Sequence, residues 1–110
     1  MRRFETIDSR GWEMFATIRV YQNATSKQEL AQRIEEEFIP VLKETSGFRG
    51  WYIIDGGNGA LASVTLFDSL EDTLAANEKS AQWIRDNDAA DLLPQAPTIT
   101  AGEIMRSVLV

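Results

Sequence analysis

Met14-Phe15-Ala16-Thr17-Ile18-Arg19-Val20-Tyr21 alternates with period two, and the fold follows from how that stretch is read. Met14, Ala16, Ile18 and Val20 make one wholly apolar, smooth side, while Phe15, Thr17, Arg19 and Tyr21 make a mixed one. Alternation of this kind marks a strand, because successive side chains of an extended chain point to opposite faces. The mixed side carries two aromatic rings beside an arginine, so neither face is expected to be merely wetted.

Downstream, Ser26-Lys27-Gln28-Glu29 has the spacing of a capping box, with Ser26 as N-cap and Glu29 reaching back to its amide. Leu30, Ile34, Phe38, Val41 and Leu42 then recur at helical spacing; Pro40 is expected to kink this helix and Gly47 to end it. Residues 48–55 and 60–67 read as two strands joined by Asp55-Gly56-Gly57-Asn58-Gly59, a turn rich in residues that tolerate positive φ. In the second of these strands Ala60, Ala62, Val64 and Leu66 form a smooth side; Leu61, Ser63, Thr65 and Phe67 form a mixed one. Ser69 is the expected N-cap of a second helix with an inner stripe of Leu70, Leu74, Asn77, Ala81 and Ile84. That helix is expected to run to about Leu92, where Pro94 and Pro97 end it. A last strand covers 98–106, with 107–110 as its continuation.

The order β-α-β-β-α-β predicts an α+β, ferredoxin-like split sheet with both helices on one face and the first and third strands central. One domain spans 1–110, with an N-terminal arm over 1–13 and the core over 14–106. The smooth sides are assigned to the helices. The mixed sides then form the second face, where four of eight residues are large and apolar or aromatic. Such a face calls for a partner, and a homodimer built mainly by Phe15, Tyr21 and Phe67 is predicted. The packed sheets either fill their interior or enclose a ligand pocket in which Arg19, Thr17, Ser63 and Thr65 find partners.

Composition narrows the chemistry. The chain has no cysteine and no histidine, which removes disulfides, thiolate zinc, cysteine nucleophiles and the commonest general base. No metal or cofactor site is expected: Asp55 and Asn58 look like turn residues, and Glu35-Glu36-Glu37 like a solvated helix flank. Net charge is −6, with three basic against five acidic groups in 26–47 and two against six in 69–93. Acidic helix surfaces repel phosphate backbones and anionic lipid, so neither nucleic acid nor membrane is an expected partner. No apolar run is long enough to span a bilayer, and Met1-Arg2-Arg3 leads into Phe4-Glu5-Thr6 rather than a signal-type segment. A cytoplasmic protein is expected.

Several pieces resemble a known family: the strand Phe15 to Tyr21, Ser46-Gly47-Phe48-Arg49-Gly50-Trp51-Tyr52 with its following turn, and Ser63-Val64-Thr65-Leu66-Phe67-Asp68-Ser69. Ala81-Gln82-Trp83-Ile84-Arg85-Asp86 and Gly102-Glu103-Ile104 extend the likeness across residues 14–106. They are similar to the antibiotic-biosynthesis-monooxygenase-like domains. That resemblance implies a dimeric α+β barrel, with a pocket in each protomer between sheet and helices or at the barrel interior. Among such proteins some oxidise polycyclic phenols without metal or flavin, and some cleave haem using a histidine that this chain lacks. The implied activity is cofactor-independent oxygenation of an electron-rich phenolic or polyketide-like compound; the alternative is a non-catalytic ligand-binding or stress-related barrel.

The candidate ligand-binding residues are Arg19, Tyr21, Trp51, Ser63, Thr65, Phe67 and Glu103; no catalytic residue is assigned. Arg19 is either an oxyanion-binding group or a structural ion-pair partner of Glu103. Trp51 either stacks a ligand ring or seals a dimer rim. Trp83 is out of phase with the inner stripe and is expected to pack across the end of its helix.

Overall fold

The computed structural model describes residues 13–109; the expected N-terminal arm lies outside the described residues apart from Glu13. Four strands, β1 (Phe15–Tyr21), β2 (Phe48–Gly57), β3 (Ala60–Phe67) and β4 (Thr98–Glu103), form one sheet in the order β2-β3-β1-β4. All three pairings are antiparallel. Helices α1 (Lys27–Arg33), α2 (Ile39–Lys43) and α3 (Leu70–Asp86) complete the ferredoxin-like α+β fold, with β1 and β3 at the centre of the sheet. Among the described residues no helix is long and apolar enough to cross a membrane.

The two faces of the sheet are the reverse of the expected assignment. Thr17, Arg19, Tyr21, Leu61, Thr65 and Phe67, all from the mixed sides, are buried. Tyr21 and Leu61 pack with Leu30, Ala89 and Leu93, and Phe67 packs with Phe38, Ile39, Leu42 and Ala76. The helices therefore cover the mixed face. The smooth face stays open, with Ile18, Tyr52 (61% exposed) and Ile54 (49%) on its surface. A homodimer resting on Phe15, Tyr21 and Phe67 is thus excluded, because the chain's own helices occupy that face. Alternation alone cannot distinguish the two outcomes, since both sides carry large apolar residues. Volume and polarity decide: bulky Tyr21, Leu61 and Phe67 fill the wedge under helices, and Arg19 finds polar atoms there.

Local expectations fail at defined points. Ser26 has φ 50°, and its side chain makes no capping bond. An N-cap hydroxyl reaches the helix amides from extended backbone, so the left-handed turn removes the capping box. Pro40 acts two residues upstream of itself: Ile34–Phe38 form one π-helical turn, closed by the Ile39 amide donating to the Ile34 carbonyl. The extra residue in that turn absorbs the clash of the proline ring with the preceding turn and lets the apolar stripe resume in α2. Ser69 caps α3 as expected, its Oγ accepting from the Asp72 amide at 3.1 Å. The helix ends at Asp86, short of Leu92, because Asn87 Nδ2 donates to the Trp83 carbonyl (2.9 Å) and Asp88 turns left-handed. A 3₁₀ turn, Ala89–Asp91, follows. The last strand closes at Glu103, and 104–109 do not extend it.

The stripe of α3 is rotated as well. Thr73 and Ala76 are buried, Asn77, Ser80, Trp83 and Ile84 are half-buried, and Leu70 and Leu74 (51% exposed) face outward. Small residues at 73, 76 and 80 let the helix lie close to the bulky sheet face.

The β2–β3 hairpin is pinned from two sides. Gly59, at φ +82°, passes so near the 22–25 turn that a Cβ would lie 3.2 Å from Asn23 Cα, and its carbonyl accepts from the Ala24 amide at 2.9 Å. Asp55 accepts from Lys27 Nζ at 2.5 Å and from the Gly57 amide at 2.9 Å. The lysine bond, then the amide, hold its carboxyl below the ordinary carboxylate range.

Candidate functional site

Between the covered sheet face and the helices lies a cavity of about 40 Å³. Its floor comes from the sheet: Arg19 and Tyr21 on β1, Trp51 on β2, Ser63 and Thr65 on β3. Its roof comes from the π-helical turn, through Ile34 and Phe38, and from Ser80, Trp83 and Ile84 of α3. Leu93 closes one end.

Register explains the floor. Arg19 stands opposite Ser63, and Thr17 opposite Thr65 on the same face. Trp51 stands opposite Thr65 from the other side of β3, and its indole Nε1 donates to Ser63 Oγ at 3.3 Å. Trp83 is held from above. Its ring lies 5.9 Å from that of Phe38, and the Arg33 guanidinium sits over it at 5.6 Å. Arg33 in turn donates to the Asn87 carbonyl at 2.6 Å, tying the roof to the end of α3.

Arg19 is the singular group. It is 5% exposed, its Nε donates to the Tyr21 hydroxyl oxygen at 3.1 Å, and its Nη1 donates to Asn77 Oδ1 at 3.1 Å. No carboxylate among the described residues forms a salt bridge with it. Tyr21 spends an oxygen lone pair on Arg19, so its own O–H proton remains free to donate. A buried guanidinium and a tyrosine hydroxyl thus stand side by side with no carboxylate among the described residues bonded to them.

A second cavity of about 160 Å³ adjoins the first at the same pair. Arg19, Tyr21, Ile84 and Leu93 line both spaces. The outer one is completed by Ala81, Gln95, Ala96 and Pro97. Among the described residues neither lining contains Asp or Glu.

Five of the seven candidate residues, Arg19, Tyr21, Trp51, Ser63 and Thr65, meet in the inner cavity. Phe67 does not: it is fully buried in the second core cluster, edge-on to Phe48 at 5.7 Å. Glu103 stands opposite Phe15, whereas Ile99 stands opposite Arg19. Four residues of strand, about 13 Å of backbone, separate the two positions, and the Arg19–Glu103 ion pair is not formed. Thr17 Oγ1 is buried without a partner among the described residues and lines neither cavity. Sequence reading missed Asn77 and Ser80 as site residues and placed Trp83 on the wrong side. The available signal was a polar Asn on a stripe otherwise apolar, which implies a polar group facing it.

Neither a protein-family model nor a curated protein matches the sequence. Solved structures do match. A monooxygenase from the gene ActVA-Orf6 of Streptomyces coelicolor, in complex with nanaomycin D, superposes with a TM-score of 0.68 at 15% identity, over 94% of this chain and 96% of that one. A protein of unknown function from Nitrosomonas europaea gives 0.63 at 22% identity, over 89% and 94%. SnoaB, a cofactor-independent oxygenase from Streptomyces nogalater, gives 0.55 at 9% identity, over 89% and 96%. The chain has the fold of the antibiotic-biosynthesis-monooxygenase-like domains.

Proposed function

We propose that this protein is a small-molecule-binding barrel whose ligand presents an oxyanion to Arg19 and Tyr21, and that it oxygenates an electron-rich phenol without a cofactor. One observation carries the reading: a buried guanidinium, bonded to a tyrosine oxygen and an asparagine, lines two cavities whose linings hold no carboxylate among the described residues. Removing a cation from water without an anionic partner is costly, and a bound phenolate or carboxylate offsets that cost. Held at the same point, the guanidinium and the Tyr21 proton stabilise negative charge as it develops on the ring oxygen. Dioxygen is then the oxidant: one oxygen becomes a new carbonyl at a ring C–H position. The other leaves as water with the two hydrogens lost from that carbon and the phenol, giving a quinone. SnoaB, a cofactor-independent oxygenase, shares the fold, and that supports the reaction class.

A second reading has its own support. The chain has no histidine, and no carboxylate among the described residues faces the cavity to act as base, which favours binding of an already ionised ligand without turnover. Oxygen uptake with a para-unsubstituted phenol separates the two: consumption of one O₂ per quinone formed, lost in Arg19→Met, supports the enzyme. Binding of the phenolate without uptake supports the non-catalytic barrel. Absence of binding by the wild type, or binding that Arg19→Met leaves unchanged, overturns both.

In the same reading two copies pack through the open smooth face, in a cytoplasmic setting. Ile18, Tyr52 and Ile54 are exposed beside Met14, Ala16, Val20, Ala62, Val64 and Leu66, an apolar surface of the kind that marks an interface.

A further inference from the structure

We infer that the ligand is a single-ring anion, its ring seated in the outer cavity and its oxygen on Arg19. The inference rests on the proposed role of Arg19 and adds the size and the position of the ligand.

Volume is the first argument. The inner cavity, at about 40 Å³, accommodates only a few water molecules. Its floor and roof are fastened, Trp51 to Ser63 and Trp83 to Phe38 and Arg33, so it does not enlarge by a simple rotamer change. The outer cavity, open on one side and about 160 Å³, is of the order of the roughly 150 Å³ apolar cavity known to hold benzene. The outer space opens to solvent at one side, so a fused three-ring molecule would extend beyond its lining and lose contact with it.

Lining chemistry is the second. Ala81, Ile84, Leu93 and Pro97 present apolar surface to a ring, while Arg19 and Tyr21 stand at the inner wall. Gln95 and Ala96 are exposed, which puts the mouth of the cavity at this loop. An aromatic carboxylate or phenolate therefore enters ring last, with its charged end against the guanidinium. The two alanines set the available room, because any larger residue at 81 or 96 projects into the space the ring needs.

Titration of the full chain with benzoate, benzyl alcohol and anthracene-2-carboxylate, followed by NMR shifts and calorimetry, tests this. Benzoate is expected to bind and to shift Leu93 and Ala96. Benzyl alcohol, the same ring without the charge, is expected to bind at least about tenfold more weakly, and anthracene-2-carboxylate not at all. Ala81→Leu is expected to weaken benzoate about tenfold or more; Ala96→Leu, on the exposed loop, repeats the test should the helix variant fail to fold. Anthracene-2-carboxylate binding as tightly as benzoate, or benzoate binding indifferent to both leucines, overturns the single-ring inference and leaves the role of Arg19 standing. If neither anion binds, the reading of Arg19 falls with it.

Discussion

Arg19 Nη1 donates to Asn77 Oδ1 at 3.1 Å, joining the central strand β1 to the middle of α3. The guanidinium is buried, so the helix supplies part of the solvation that water would otherwise give it. Asn77→Ala is expected to destabilise the fold by about 1–3 kcal/mol, the cost of leaving a buried charged donor unpaired. Asn77→Asp is expected to keep the helix in place, supply the missing counter-charge and abolish binding of anionic ligands. Urea unfolding and benzoate titration on the two variants check this; anion binding that survives Asn77→Asp contradicts it.

Glu103 lies on the edge strand opposite Phe15 and is exposed. Glu103→Gln is therefore expected to change stability by no more than about 0.5 kcal/mol, and to bring no rescue when combined with Arg19→Met. A thermodynamic cycle with a coupling above about 1 kcal/mol would reinstate an ion pair between them.

The open sheet face predicts self-association. Wild type is expected at twice the 12.4 kDa chain mass by light scattering at micromolar concentration. Ile18→Glu places a charge at the middle of the apolar surface without touching the helix-covered side, and is expected to give a folded monomer. A monomeric wild type removes the dimer from the proposed function and leaves the pocket as described.

Lys27 and Asp55 tie the start of α1 to the β2–β3 hairpin, with the carboxyl held below its ordinary 3.8. A lowered folded pKa means that the ionised group favours the native state. Its contribution is complete above the unfolded value and disappears as pH falls through the lower folded one. Asp55→Asn is therefore expected to lower stability slightly at neutral pH and to flatten the acid side of the profile below about pH 4. The pair is exposed, so the effect is small and fades with salt. Thermal melts from about pH 6 to pH 2, at low and high salt, read it directly.

At the hairpin tip, Gly59→Ala is expected to cost about 1 kcal/mol or more, because φ +82° strains any residue with a Cβ and Asn23 backbone stands in its way. Equilibrium unfolding measures it; an unchanged midpoint would mean that the 22–25 turn moves aside.

Element order, the hairpin at 55–59, the cap at Ser69 and the central position of β1 and β3 were legible in the sequence, since each depends on local spacing or on topology common to the whole class. So was the grouping of Arg19, Tyr21, Ser63 and Thr65, because residues of one parity on neighbouring antiparallel strands must share a face. Which face the helices cover was not legible. Period two identifies two sides of a strand without ranking them, and here both were apolar enough to be buried. Only the packed helix chose between them: α3 offers Asn77 and small side chains toward the sheet, and these accommodate Arg19 and the bulky rings. The register of β1 with β4 decided against Glu103, since an ion pair depends on where two residues fall along their strands as well as on the side they share. Distances of that kind are set when the chain closes on itself, and composition and spacing carry no record of them.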